Sequence, residues 1–155
     1  MFSTPRYLLM MFATLFSHYA LADDKLEIED AWIAEAPPVS KVMAAYLEIE
    51  NETRQDRQAI RISCDGFERA EFHRTIDRDG MASMEHQKSL QIPAGSELEL
   101  KPGGYHIMLF NPARRMPAGD KTGCSMEFDD GTTIRFEPEV RKAAAAEDHS
   151  HHDHH

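Results

Sequence analysis

The sequence predicts an all-β protein, an antiparallel Greek-key β-sandwich or barrel. Three observations predict it. Apolar–polar alternation recurs in short runs, Gly and Pro clusters punctuate those runs at short intervals, and no stretch shows a convincing helical period. At 155 residues, one domain is expected.

Residues 1–22 read as a secretory signal peptide. Arg6 supplies the basic start, Tyr7 to Phe16 is apolar, and Ala20-Leu21-Ala22 is a small-x-small cleavage site before Asp23. The alternative is an N-terminal membrane anchor, which needs about 20 apolar residues, and this run is short. Cleavage leaves residues 23–155 and moves the formal charge from −10 to −11, because Arg6 departs and no acid does. So acidic a chain excludes nucleic acid and disfavours an anionic membrane surface. The expected location is the periplasm.

The body of the fold is expected over residues 23–141. Lys25 to Ile33 opens with alternation and reads as the first strand, with Trp32 a packing residue. Pro37-Pro38 ends it, since proline removes a ladder donor. Val42 to Glu50 alternates again, with Leu47 and Ile49 set against Glu48 and Glu50. Residues 51–56 are a polar loop. Ala59 to Cys64 is a strand with Ile60, Ile62 and Cys64 on one face. Ser96 to Leu100 alternates with Leu98 and Leu100 inward, and Pro102-Gly103-Gly104 turns the chain into the next strand. Residues 111–123 are a loop rich in Pro and Gly. Cys124 to Phe128 and Thr133 to Val140 flank Asp129-Asp130-Gly131, a hairpin signal.

Cys64 and Cys124 both share parity with apolar neighbours. In an exported chain a disulfide between them is expected; the alternative is two buried thiols too far apart to bridge. A blue-copper centre is disfavoured, because no His follows Cys124 before the tail. Residues 142–155 are expected to form a flexible His-rich tail. His149, His151, His152, His154 and His155, interspersed with acids, suit Cu(II), Ni(II) or Zn(II). A disordered acidic tail or an appended tag is the competing reading.

The stretch His73 to Met108 carries the sharpest chemistry. Ten residues separate His73 from Met84, twenty-one separate Met84 from His106, and one separates His106 from Met108. On a strand, His106 and Met108 project from one side, roughly 7 Å apart. By the same parity His73 shares the polar face of its strand with Arg69 and Glu71. Asp79-Gly80 marks a turn or short hairpin near Met84. Two imidazoles with two thioethers form a soft, neutral ligand set that selects Cu(I) over zinc or calcium. A lone His-x-Met, by contrast, is common by chance, and Met is a common core filler.

These four residues at these spacings resemble the copper-binding motif of the periplasmic copper chaperones called PCu(A)C. The likeness extends to Asp30-Ala31-Trp32, Ala36-Pro37-Pro38, Ala44-Ala45-Tyr46, Ile92-Pro93-Ala94-Gly95 and Leu100 to Leu109, and it covers about residues 26–141. Family members often carry a Met where this chain has Thr75, and an Arg where it has Ala34. The resemblance implies a cupredoxin-like fold; no enzymatic activity is expected, because no nucleophile–base arrangement stands out in the sequence. It also implies Cu(I) delivery to a cytochrome oxidase copper centre, with an oxidase subunit or another copper chaperone as recipient or donor. The tail is then a second, Cu(II) site, no membrane contact is expected after signal cleavage, and a monomer is expected. Two other readings compete: a periplasmic metal buffer that uses mainly the tail and has no delivery partner, and a secreted interaction module without metal.

Overall fold

A computed structural model describes residues 25–142; the signal segment and the five tail histidines lie outside them. The described residues contain no helix. They form eleven strands: β1 Leu26–Ala34, β2 Val42–Asn51, β3 Arg57–Cys64, β4 Phe67–Arg78, β5 Met81–Gln87, β6 Leu90–Ile92, β7 Ser96–Leu100, β8 Tyr105–Pro112, β9 Cys124–Phe128, β10 Thr133–Phe136 and β11 Glu139–Arg141.

Two sheets pack face to face. The larger runs β11-β1-β2-β8-β4-β5, with β7 also paired to β2, and the smaller runs β10-β9-β3-β6. The fold is the expected all-β, cupredoxin-like sandwich, with its sheets curled into a half-barrel. Alternation explains the core: β2 buries every second residue, and so does β9. Ile33, Ile49, Phe72, Ile107 and Leu109 of the larger sheet meet Ala59, Ile62, Ile92, Met126 and Phe128 of the smaller one. Burying a side chain of this size contributes roughly 1.5–3 kcal/mol. Asn51 is buried but satisfied. Its amide donates to the carbonyls of Gln55, Ile92 and Pro93, and its oxygen accepts from Thr53, which pins the polar loop 51–56.

Three local features differ from simple alternation. In β3, Ala59 pairs with Phe128 while Arg61 pairs with Glu127, so Ile60 is an extra, bulged residue. It is 46% exposed and does not share the inward face of Ile62 and Cys64. In β1 a bulge between Glu29 and Trp32, with Asp30 at φ 47°, reverses the parity. Ile28 faces the core beside Ile49, but Trp32 emerges on the outer face, with its ring 4.7 Å from that of Tyr46. The run Thr133–Val140 is two strands, not one. It breaks at Glu137-Pro138, where the chain crosses between sheets and β11 pairs parallel to β1.

Cys64 and Cys124 stand directly opposite each other on β3 and β9 and are joined by a disulfide across 60 residues of chain.

Candidate metal centre

The site is built on the outer face of β2, β8, β4 and β5, and it starts with a hairpin. Asp79 and Gly80 form a two-residue loop, both with positive φ (57° and 77°), and Arg78 pairs with Met81. That backbone suits the twist of a tight hairpin, and glycine adopts it without steric cost. The ladder then runs without a break to Phe72 and Gln87. Met84 therefore lies on β5 beyond the turn, opposite Thr75, and His86 falls opposite His73. On the other side of β4, His73 pairs with His106 and Glu71 pairs with Met108. Directly paired residues share a face, so His73, Met84, His106 and Met108 all emerge on one side of the sheet. Met81 has the opposite parity to Met84 and emerges on the other face.

A break between β7 and β8 shapes the recess. Both strands pair with β2, β7 through Leu47–Asn51 and β8 through Val42–Ala45. The turn at Pro102-Gly103-Gly104 bulges out between them, with Gly103 at φ 80°. A recess of about 270 Å³ results, lined by Met84, His106, Met108, Tyr46, Thr75 and Pro102 among others. His73 lies beside it, its ring centroid 6.0 Å from that of His106. Burial is graded across the site: His106 is 4% exposed and Met84 is 62% exposed.

Hydrogen bonds fix which ring nitrogens are available. His106 Nδ1 lies 3.1 Å from the carbonyl of Gly104. A carbonyl only accepts, so Nδ1 carries the proton and Nε2 presents a lone pair. His73 Nε2 lies 2.9 Å from Glu71 Oε2. The hydrogen bond from His73 and the neighbouring Arg69 hold the Glu71 carboxyl below the usual carboxylate range. The carboxylate therefore accepts, His73 Nε2 donates, and Nδ1 presents the lone pair. These two lone-pair nitrogens, His73 Nδ1 and His106 Nε2, are buried and have no hydrogen-bond partner. Buried polar atoms are normally paired, and a metal-bound imidazole normally donates its other nitrogen to a carboxylate or carbonyl. Both imidazoles here have such a partner on one nitrogen, and both leave the other nitrogen bare.

Glu71 ties the arrangement to its surroundings: Arg69 Nε donates to its Oε1 at 2.8 Å, and the Arg69 guanidinium sits 3.9 Å over the Phe110 ring. Sequence reasoning placed Glu71 and His73 on one face but assigned Glu71 no role. It also left His86 unassigned, although counting outward from the Asp79-Gly80 turn pairs it with His73.

Residues 26–140 match the LpqE-like family, described as "Putative lipoprotein LpqE-like". A relative from Leifsonia xyli subsp. xyli, "Putative lipoprotein Lxx21020", is 32% identical over 111 residues, 71% of this chain and 66% of that protein's length. Among solved structures, the solution structure of Cu(I)-DR1885 from Deinococcus radiodurans is similar at 27% identity and TM-score 0.64, covering 79% of this chain and 82% of that one. The copper-bound PCuAC domain of PmoF2 superposes at TM-score 0.66 with 18% identity, covering 77% and 94%, and supports the fold. With residues 26–140 matched, the chain belongs to the LpqE-like family, and its β-domain shares its fold with the PCuAC domains.

Proposed function

We propose that this protein is an exported copper chaperone, carrying Cu(I) on His73, Met84, His106 and Met108 and delivering it to a cytochrome oxidase copper centre. One observation carries the reading: two imidazoles on neighbouring strands each hold a buried, bare nitrogen and a fixed tautomer, beside two thioethers on the same face. The solved relative from Deinococcus radiodurans holds Cu(I) by its name, at 27% identity. Export is supported by the signal-like residues 1–22 and by the lipoprotein description of the family. Both cysteines of this sequence are in the disulfide, so neither is available to carry a lipid.

The graded burial suits transfer. Copper is cargo here, so it must leave by ligand exchange rather than by unfolding. Met84 stands exposed on edge strand β5 and would be displaced first by a recipient's ligand. Buried His106 would let go last. Neutral thioethers exchange with less electrostatic cost than thiolates.

The test is a Cu(I) titration against a chromophoric chelator, using the full chain with its five tail histidines replaced by asparagine. One tight equivalent is expected, lost in Met84→Ala/Met108→Ala. Binding that survives the double substitution would remove the four-ligand site. Tight binding only when the tail is intact would favour a metal buffer. Transfer from the loaded chain to an apo oxidase copper domain then tests delivery.

A further inference from the structure

The ladder between β4 and β5 places a third imidazole beside the site. His86 stands directly opposite His73, with no bulge anywhere along the pairing, and His106 stands opposite His73 on the other side. The three imidazoles therefore form one row across β5, β4 and β8. The His73–His86 ring centroids are 5.5 Å apart and the His73–His106 centroids 6.0 Å. With metal–nitrogen bonds of about 2.0–2.1 Å, two rings on one ion have centroids at most roughly 6.4 Å apart. Both spacings fall within that limit; the third pair, His86 and His106, flanks His73 and closes on one ion only when the His86 ring turns inward. His86 is exposed on an edge strand, and its ring has no hydrogen bond or ion pair among the described residues. It is therefore unencumbered and able to turn toward His73.

His86 also shares a strand face with Met84, two residues away. Imidazole suits Cu(II), whereas thioether suits Cu(I). Edge strand β5 thus offers the ion two alternative donors of different softness, next to a shared pair of imidazoles. We propose that His86 is a third nitrogen ligand specific to the oxidised ion: His73, His106 and His86 hold Cu(II), while His73, His106, Met84 and Met108 hold Cu(I). The domain then accepts copper as supplied in either state, and the choice is made on β5. No electron transfer is involved. The proposal rests on the copper reading above and deepens it.

The test again uses the full chain with its five tail histidines replaced by asparagine, with and without His86→Asn. The probes are Cu(II) alone, followed by electron paramagnetic resonance and chelator competition, and Cu(I) alone in the chelator titration. In His86→Asn, Cu(II) affinity is expected to fall about tenfold or more, with one fewer nitrogen coupled to the spin, while Cu(I) affinity changes less than about threefold. An unchanged Cu(II) affinity and spectrum would overturn the proposal. So would equal losses for both ions, which mark a structural role. A parent chain that binds Cu(I) but not Cu(II) overturns this proposal and leaves the chaperone reading standing; one that binds neither overturns both.

Discussion

At the scale of the residue, the site depends on two hydrogen bonds that decide tautomers. The Gly104 carbonyl sets His106, and Glu71 sets His73. Glu71 is itself held by Arg69, so three side chains of the same parity on β4 act as one bracket. Replacing Glu71 by glutamine keeps volume and one acceptor but removes the charge that orients His73. Cu(I) affinity of Glu71→Gln is expected to fall about tenfold with stoichiometry unchanged, as when other partners that orient a metal-bound imidazole are changed. Unchanged affinity in the chelator titration would mean the sheet alone orients His73. Parity made Arg69, Glu71 and His73 legible in the sequence as one face. The Gly104 contact was not legible, because it needs the turn at Pro102-Gly103-Gly104 to fold its carbonyl back toward His106. Trp32 packs as read, but the face on which it packs was not legible either. Alternation counted from Ile28 puts it inward, and only the bulge at Asp30 sends it out against Tyr46.

At the scale of the element, strand identity was legible and register was not. Alternation is local, whereas pairing partners lie tens of residues away. Ile60 shows the cost: its neighbours alternate correctly, but one bulge against β9 turns it to solvent. Register also exposes an acidic ladder. Glu27 pairs with Glu50, Glu29 with Glu48, Glu48 with Glu99 and Glu50 with Glu97, on the same outer face as Tyr46. Like charges directly opposite are destabilising. The Glu50 carboxyl is pushed up chiefly by Glu29, and Glu48 by desolvation and by Glu97. A raised carboxyl pKa favours the protonated form in the fold. Its contribution to stability is therefore full below the unfolded value near pH 4 and is lost as pH rises through the folded one. Glu50→Gln is expected to raise the melting temperature at pH 7.5, with the gain shrinking toward zero at pH 4. Thermal melts at both pH values, at low salt, check this; an equal gain at both would show that charge is not the cause.

At the scale of the whole molecule, the two sheets divide the work. The larger carries the candidate metal face on its outside, and the smaller carries the disulfide between β3 and β9. The disulfide was anticipated from apolar parity and export, but its place in the sheet opposite the metal face emerges only from topology. The separation has a consequence. Closing a loop of 60 residues stabilises the fold by about 4 kcal/mol in the chain-entropy picture. For a domain of this size that corresponds to roughly 10–15 °C in melting temperature. None of the four proposed ligands lies on β3 or β9, and the hairpin, the β8 turn and Glu71 that position them all belong to the larger sheet. Cys64→Ala/Cys124→Ala is therefore expected to melt well below the parent yet bind Cu(I) within about threefold of it at temperatures where both are folded. Saturating Cu(I) should offset the loss, by about 4 kcal/mol at a thousandfold excess over Kd. Melting curves and titrations on the same samples separate the quantities. A tenfold loss of affinity in the still-folded variant would show that the disulfide reaches across the core to hold the metal face in shape, and that the two sheets are not independent in function.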